Sequence, residues 1–202
     1  MIAFFKNGKN LQVHVAQKAG NTSIKNYLSQ CFGLNQHYKQ LGKERKIILK
    51  DFLYVPTEKI HKKIAIIRDP VERLHSAYID RVVYHNRNKS RDTIKSWEDF
   101  VLNLEEYLEQ FPDVAQHCRK QVEYLLEDDI DTYDAIFHTY DIKDGVRKYI
   151  ESIAEVSIKP AHSKNRKTYN IDYSKDKKII DKIKNFYTDD YAYFKNHLKE
   201  KI

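Results

Sequence analysis

The chain has 202 residues, 41% of them hydrophobic and 32% charged, a balance that excludes a disordered polymer and fits one globular domain, residues 1–202, with a proper core. No run of about 18 apolar residues occurs, so no membrane-spanning helix is expected, and the opening MIAFFKNGKN lacks the basic-then-apolar order of a signal peptide. The net charge of +7 suits either an anionic partner or a lysine-rich solvated surface, and decides between them only with the motifs.

In chain order, LQVHVA (11–16) reads as a short buried strand. From Thr22 to about Cys31 the spacing of Ile24, Tyr27, Leu28 and Cys31 predicts a helix. KIILKDFLYVP (46–56) holds a second apolar run, stopped by Pro56, and KKIAIIRDP (62–70) a third whose unbroken Ile64-Ala65-Ile66-Ile67 suits a parallel strand covered on both faces. Asp69 as N-cap, Pro70 at the first helical position and Glu72 at the capping-box position then announce a helix with Val71, Leu74, Tyr78 and Val82 on its core side. An exposed basic loop is expected over 86–96, helices over Trp97–Gln110 and Val114–Leu126, and a strand over 134–141 leading to a helix ending near Ala154. HSKNRKTYN (162–170) reads as loop, and an amphipathic helix runs from about Lys175 with Ile179, Ile183, Phe186, Tyr187, Tyr191, Phe194 and Leu198 on one side. Strands alternating with helices predict an α/β fold, a P-loop-like parallel β-sheet flanked by helices.

Two segments carry chemistry. In HVAQKAGNTSIKNYL (14–28) a strand enters a short loop that opens a helix, so backbone N–H groups and the positive helix end converge on the loop. Lys18 supplies a point charge, Gly20 allows close backbone approach, and Ala19, Asn21, Thr22 and Ser23 complete the turn and its donors. A nucleoside-triphosphatase loop places its lysine after the second glycine and binds Mg²⁺ through the next hydroxyl; here the lysine comes first. In IIRDPVERLHSAY (66–78), Arg68 leaves the end of a buried strand, where open α/β sheets bind ligands, and Ser76 lies two turns along the next helix. Together they can grip a phosphate; alternatively Arg68 pairs with Asp69 or Glu72 and merely ties strand to helix.

Lys18 to Ser23 followed by Arg68 to Ser76 resembles the paired nucleotide signatures of sulfotransferases. RDPVERLHSAY in particular is similar to the carbohydrate (Golgi-type) branch. HCRKQVEYLLEDDIDTYDAIF (117–137) and FYTDDYAYF (186–194) resemble later segments of that branch. One departure is Gln17, where the family has proline. The resemblance implies a donor, 3′-phosphoadenosine 5′-phosphosulfate (PAPS, product PAP), with its 5′-phosphosulfate on the first loop and its 3′-phosphate on Arg68 and Ser76. It also implies nucleotide contacts from Asn165 and Arg166 in the late loop, and a sulfuryl transfer to a hydroxyl, most naturally a saccharide's, without metal.

On that reading Lys18 stabilises charge on the leaving phosphate, and a base must take the acceptor proton. Family members use a histidine or glutamate near the strand after the first helix; here Asp51 stands there, with His117 and His162 as rivals. Cys31 and Cys118 are too few for a disulfide framework, and no paired Cys/His spacing suggests a metal. A cytoplasmic enzyme that engages neither membrane nor nucleic acid is expected. The competing readings are a P-loop kinase using Mg-ATP and a non-catalytic basic module that binds polyanions.

Overall fold

A computed structural model describes residues 2–6, 9–31, 62–86, 90–125, 129–160 and 176–198. The expected strand at 46–56 and the loop at 162–170 lie outside them. The chain divides into two compact units, residues 1–67 with 124–164, and residues 68–123 with 165–202.

The first unit is built on a four-stranded sheet in the order β1 (Ile2–Lys6), β2 (Lys9–Val15), β3 (Lys62–Ile67), β4 (Ala135–His138). β1 runs antiparallel to β2, whereas β2, β3 and β4 are parallel, with Val15 opposite Ile66 and Ile67 opposite His138. Parallel neighbours end on the same sheet edge, so the C-termini of these three strands lie side by side. The predicted parallel sheet is therefore present, with an antiparallel edge strand added. The signal for β1 is Asn7-Gly8 between two β-prone runs, a strong short-range hairpin mark.

α1 (Asn21–Cys31) and α6 (Arg147–Ala154) belong to this unit. Ile24, Tyr27 and Leu28 of α1 and Ile150 and Ala154 of α6 share one core with Val13 and Val15 of β2 and with Ile64 and Ile66 of β3. The alternate residues of β2 and β3 point to this core as the period of two requires. Burying each such side chain is worth about 1.5–3 kcal/mol. At the start of β3, Lys62 and Asp134 form a 2.6 Å ion pair, and Asp134 also accepts the Lys63 N–H.

The second unit is helical: α2 (Pro70–Tyr78), continued through a wider turn to Tyr84, α3 (Trp97–Leu102), α4 (Leu104–Gln110), α5 (Pro112–Cys118), α7 (Lys177–Phe186) and α8 (Thr188–Tyr193). The predicted stripe of α2, Val71, Leu74, Tyr78 and Val82, is buried against Phe100, Val114, Ile179, Ile183 and Tyr187. Asp69 caps α2 by accepting the Glu72 N–H at 3.0 Å.

Three helices expected to run unbroken are divided, each for a local or distant reason. Asn103 ends α3 by turning its side chain back to the carbonyl and carboxylate of Asp99. α5 stops at Arg119, because the guanidinium of buried Arg73 collects the carbonyls of His117, Cys118 and Arg119, and the Tyr187 hydroxyl donates to Cys118 as well. The last helix breaks at Tyr187, whose ring lies under Arg73 with the guanidinium 5.3 Å from its centroid. Arg73, which shares a helix side with Ser76 in sequence, is thus a core residue.

Candidate active site

The segment after β2 turns at once. Ala19 N–H donates to the Ala16 carbonyl at 3.2 Å, closing a four-residue turn in which Lys18 takes the third place with φ 66°. That left-handed conformation costs a non-glycine residue roughly 1–2 kcal/mol, and strain of this kind collects at functional sites. Gly20 follows with φ 95°. Its carbonyl accepts from Ser23 N–H at 2.9 Å and Ile24 N–H at 3.2 Å, so Gly20 is the N-cap of α1. A methyl group there would run into the Ile142 Cδ1. Gly20 is required twice over, by its φ and by Ile142.

With the first intrahelical bonds beginning at Ser23, the N–H groups of Asn21 and Thr22 stand ahead of the helix ladder. Thr22 is exposed, Ser23 and Lys18 are half-buried, and Ala19 is buried in the core. The Asn21 Oδ1 is buried without a hydrogen-bond partner among the described residues. Two open N–H donors, two hydroxyls and an ammonium at a helix N-terminus make this loop an anion cradle in its chemistry.

The segment after β3 is a corner held by side chains from far along the chain. Arg68 is the first residue past the strand, so its backbone groups need partners other than the ladder. Gln121 supplies both: its Oε1 accepts the Arg68 N–H at 2.9 Å, and its Nε2 donates to the Arg68 carbonyl at 2.8 Å. The Arg68 Nε lies 3.4 Å from the Glu72 carboxylate, so the strand-to-helix tie foreseen as an alternative is present. The Arg68 side chain is half-buried, with 26% of its surface exposed. Ser76 is half-buried, and its hydroxyl makes no side-chain hydrogen bond among the described residues. Next to it, His75 packs edge-on against Trp97 at 5.2 Å, and burial, then the Arg68 charge, hold its pKa below the usual histidine value.

His117 is buried with both ring nitrogens engaged. Its Nδ1–H donates to the Asp113 carbonyl at 2.8 Å, and its Nε2 accepts from the Arg81 guanidinium, which also meets Asp80 and Asp113. To take a proton from an acceptor, His117 would have to release Arg81. Asp51, His162, Asn165 and Arg166 lie outside the described residues. Among those described, no group of three or more His, Cys, Asp or Glu side chains could hold a metal ion, and no helix is long and apolar enough to cross a membrane.

Comparison with protein families decides the class: the model for the sulfotransferase family matches residues 3–196. The chain belongs to the sulfotransferase family. Among solved structures, this sulfotransferase is similar to the crystal structure of a sulfotransferase from Alicyclobacillus acidocaldarius, at 17% identity and a TM-score of 0.49, over 93% of this chain and 94% of that one. No curated protein matches it.

Two features of this sulfotransferase escaped sequence reasoning. One is the pair Gln121 and Asp190, which sit in segments quoted above only for resemblance. The other is His138, which ends β4 beside Ile67 at the sheet edge where ligands of open α/β sheets bind. Its ring is buried and stacked on the exposed Tyr140 with centroids 3.8 Å apart. The strand expected over 134–141 ran past His138, so its place at the strand end shows only in the structure.

Proposed function

We propose that this sulfotransferase moves a sulfuryl group from 3′-phosphoadenosine 5′-phosphosulfate to a hydroxyl of a saccharide, by metal-independent in-line displacement. The observation that carries the reading is the loop Lys18–Ser23: strained at Lys18, glycine-capped, and with its donors open at the start of α1. A loop of that order suits a singly esterified phosphosulfate better than a triphosphate with Mg²⁺. The residues fit the group. Lys18, Ala19, Gly20, Asn21, Thr22 and Ser23 would hold the 5′-phosphosulfate, and Arg68 and Ser76 the 3′-phosphate. Asn165 and Arg166 would add nucleotide contacts. The pairing of the two segments rests on the likeness of both to the family's nucleotide signatures.

The bound donor supplies an activated sulfuryl group on a phosphate leaving group. Lys18 and the N–H groups at the start of α1 neutralise the charge that grows on that phosphate, an electrostatic contribution typically worth 10²–10³ in rate, about 2.7–4 kcal/mol. The acceptor proton goes to a carboxylate or imidazole. We assign it to Asp51, with His162 as its alternative, because the His117 lone pair is spent on Arg81. The saccharide acceptor rests on the likeness of RDPVERLHSAY to the carbohydrate branch. A cytoplasmic site accords with Cys31 and Cys118, two buried thiols.

The test is transfer of labelled sulfate from the donor to a panel of desulfated polysaccharides and simple glycosides, in EDTA. Label should appear on a sugar hydroxyl, and Asp51→Asn should lower the transfer at least 100-fold, in the range of lost general-base catalysis. Label on phenols or steroids alone would redirect the acceptor, and transfer abolished by EDTA would contradict the metal-free mechanism.

A further inference from the structure

Arg68 carries the proposed 3′-phosphate grip, and its own backbone is held by a chain of buried polar groups in the helical unit. Gln121, 2% exposed, uses its amide as a strand residue would, accepting from the Arg68 N–H and donating to the Arg68 carbonyl. Burying an amide is tolerable only when its remaining groups are paired. Asp190 of α8, fully buried, completes the pairing. Its Oδ2 accepts from the Gln121 backbone N–H at 2.9 Å and from the Gln121 Nε2 at 3.4 Å, and its Oδ1 accepts from the Val122 N–H at 3.0 Å.

The same helix reaches the corner a second time. The Tyr191 hydroxyl donates to the Asp69 Oδ2 at 3.3 Å, while the Asp69 Oδ1 caps α2. An exposed ion pair, Lys120 to Asp189 at 2.6 Å, binds the 120–122 segment to α8 on the outside. α8 thus fixes residues 68 and 69 through two separate hydrogen-bonded routes. Neither Gln121 nor Asp190 needs to touch a ligand for this to matter, because a guanidinium on a fixed backbone loses less freedom when it closes on an anion.

We infer that Gln121, backed by Asp190, is a positioning residue: it sets the Arg68 backbone so that the enzyme discriminates nucleotides that carry a 3′-phosphate. This rests on the reading of Arg68 as the 3′-phosphate grip. The role predicts an effect on one part of the nucleotide only, which a merely structural role would not produce.

The experiment titrates the full chain and its variants Gln121→Met and Asp190→Asn with 3′-phosphoadenosine 5′-phosphate and with AMP, and records thermal unfolding beside each. The wild type should prefer the bisphosphate. In Gln121→Met that preference should fall roughly tenfold, the size of one or two lost buried hydrogen bonds, with AMP affinity within about twofold; Asp190→Asn should shift it in the same direction. A folded Gln121→Met that keeps the wild-type preference overturns the inference and leaves the Arg68 reading standing. A wild type without any preference overturns both. Should Gln121→Met fail to fold, Asp190→Asn tests the same route, and an unchanged preference there overturns the inference equally.

Discussion

The turn after β2 shapes itself, whereas the turn after β3 is shaped by others. In the first, Lys18 and Gly20 adopt positive φ, and the Ala16 and Gly20 carbonyls are satisfied by N–H groups within four residues. In the second, the Arg68 backbone is held by Gln121, 53 positions away, and Asp69 by Tyr191, 122 positions away. A phosphate loop made of backbone donors can be specified by a short sequence, because its ligand groups are the turn itself. A guanidinium grip needs its base held, and that requires contacts which only the folded chain supplies.

The largest effect should separate the two sites by kind. Lys18→Ala should lower turnover by about 10²–10³ with little change in donor affinity, while Arg68→Ala should weaken binding of the 3′-phosphorylated nucleotide by roughly 10- to 100-fold, the worth of a charged hydrogen bond. Steady-state kinetics beside calorimetry tells them apart. Equal losses in turnover with affinity intact in both would break the comparison.

Next in size, Gly20→Ala should cost about 2 kcal/mol of stability, since the new methyl meets Ile142 in a packed core and the backbone stays at positive φ. Urea unfolding measures it; a loss within about 0.5 kcal/mol would mean that the loop re-forms without its glycine. Lys18→Gly sharpens the point from the other side. It relieves left-handed strain of roughly 1 kcal/mol, so unfolding temperature should hold or rise while turnover falls as far as in Lys18→Ala.

The smallest expected effect concerns pH at the second turn. Burial and then Arg68 lower the His75 pKa below its ordinary 6.5. The unfolded chain therefore binds the proton first, and the contribution of a neutral His75 is present above pH 6.5 and lost as pH falls below it. His75→Phe, which preserves an edge-on ring contact with Trp97, should flatten the fall in unfolding temperature as pH drops below 6.5. An identical slope in both proteins would remove His75 from the account.

What the sequence made legible follows the same division. The β3–α2 boundary was readable because Asp69, Pro70 and Val71 to Val82 act locally or by helical period. The parallel strands were readable from their apolar runs. The break of α5 at Arg119 was not, because it depends on Arg73 and Tyr187 reaching the same carbonyls across the helical unit. Gln121 and Asp190 went unassigned for a similar reason: an amide and a carboxylate in polar helical text look like surface until their burial is known. His138 was missed because the expected strand ran on to Asp141 and left it mid-strand.

The measurement that bears most directly on the central claim is calorimetric titration of the wild type with 3′-phosphoadenosine 5′-phosphate, without metal, beside AMP and Mg-ATP. Tight metal-independent binding of the bisphosphate, with AMP at least tenfold weaker as the loss of a charged hydrogen bond requires, is the predicted result. Equal affinity for AMP, or tighter binding of Mg-ATP, would contradict the two-turn account and remove Arg68 and Ser76 from the nucleotide site.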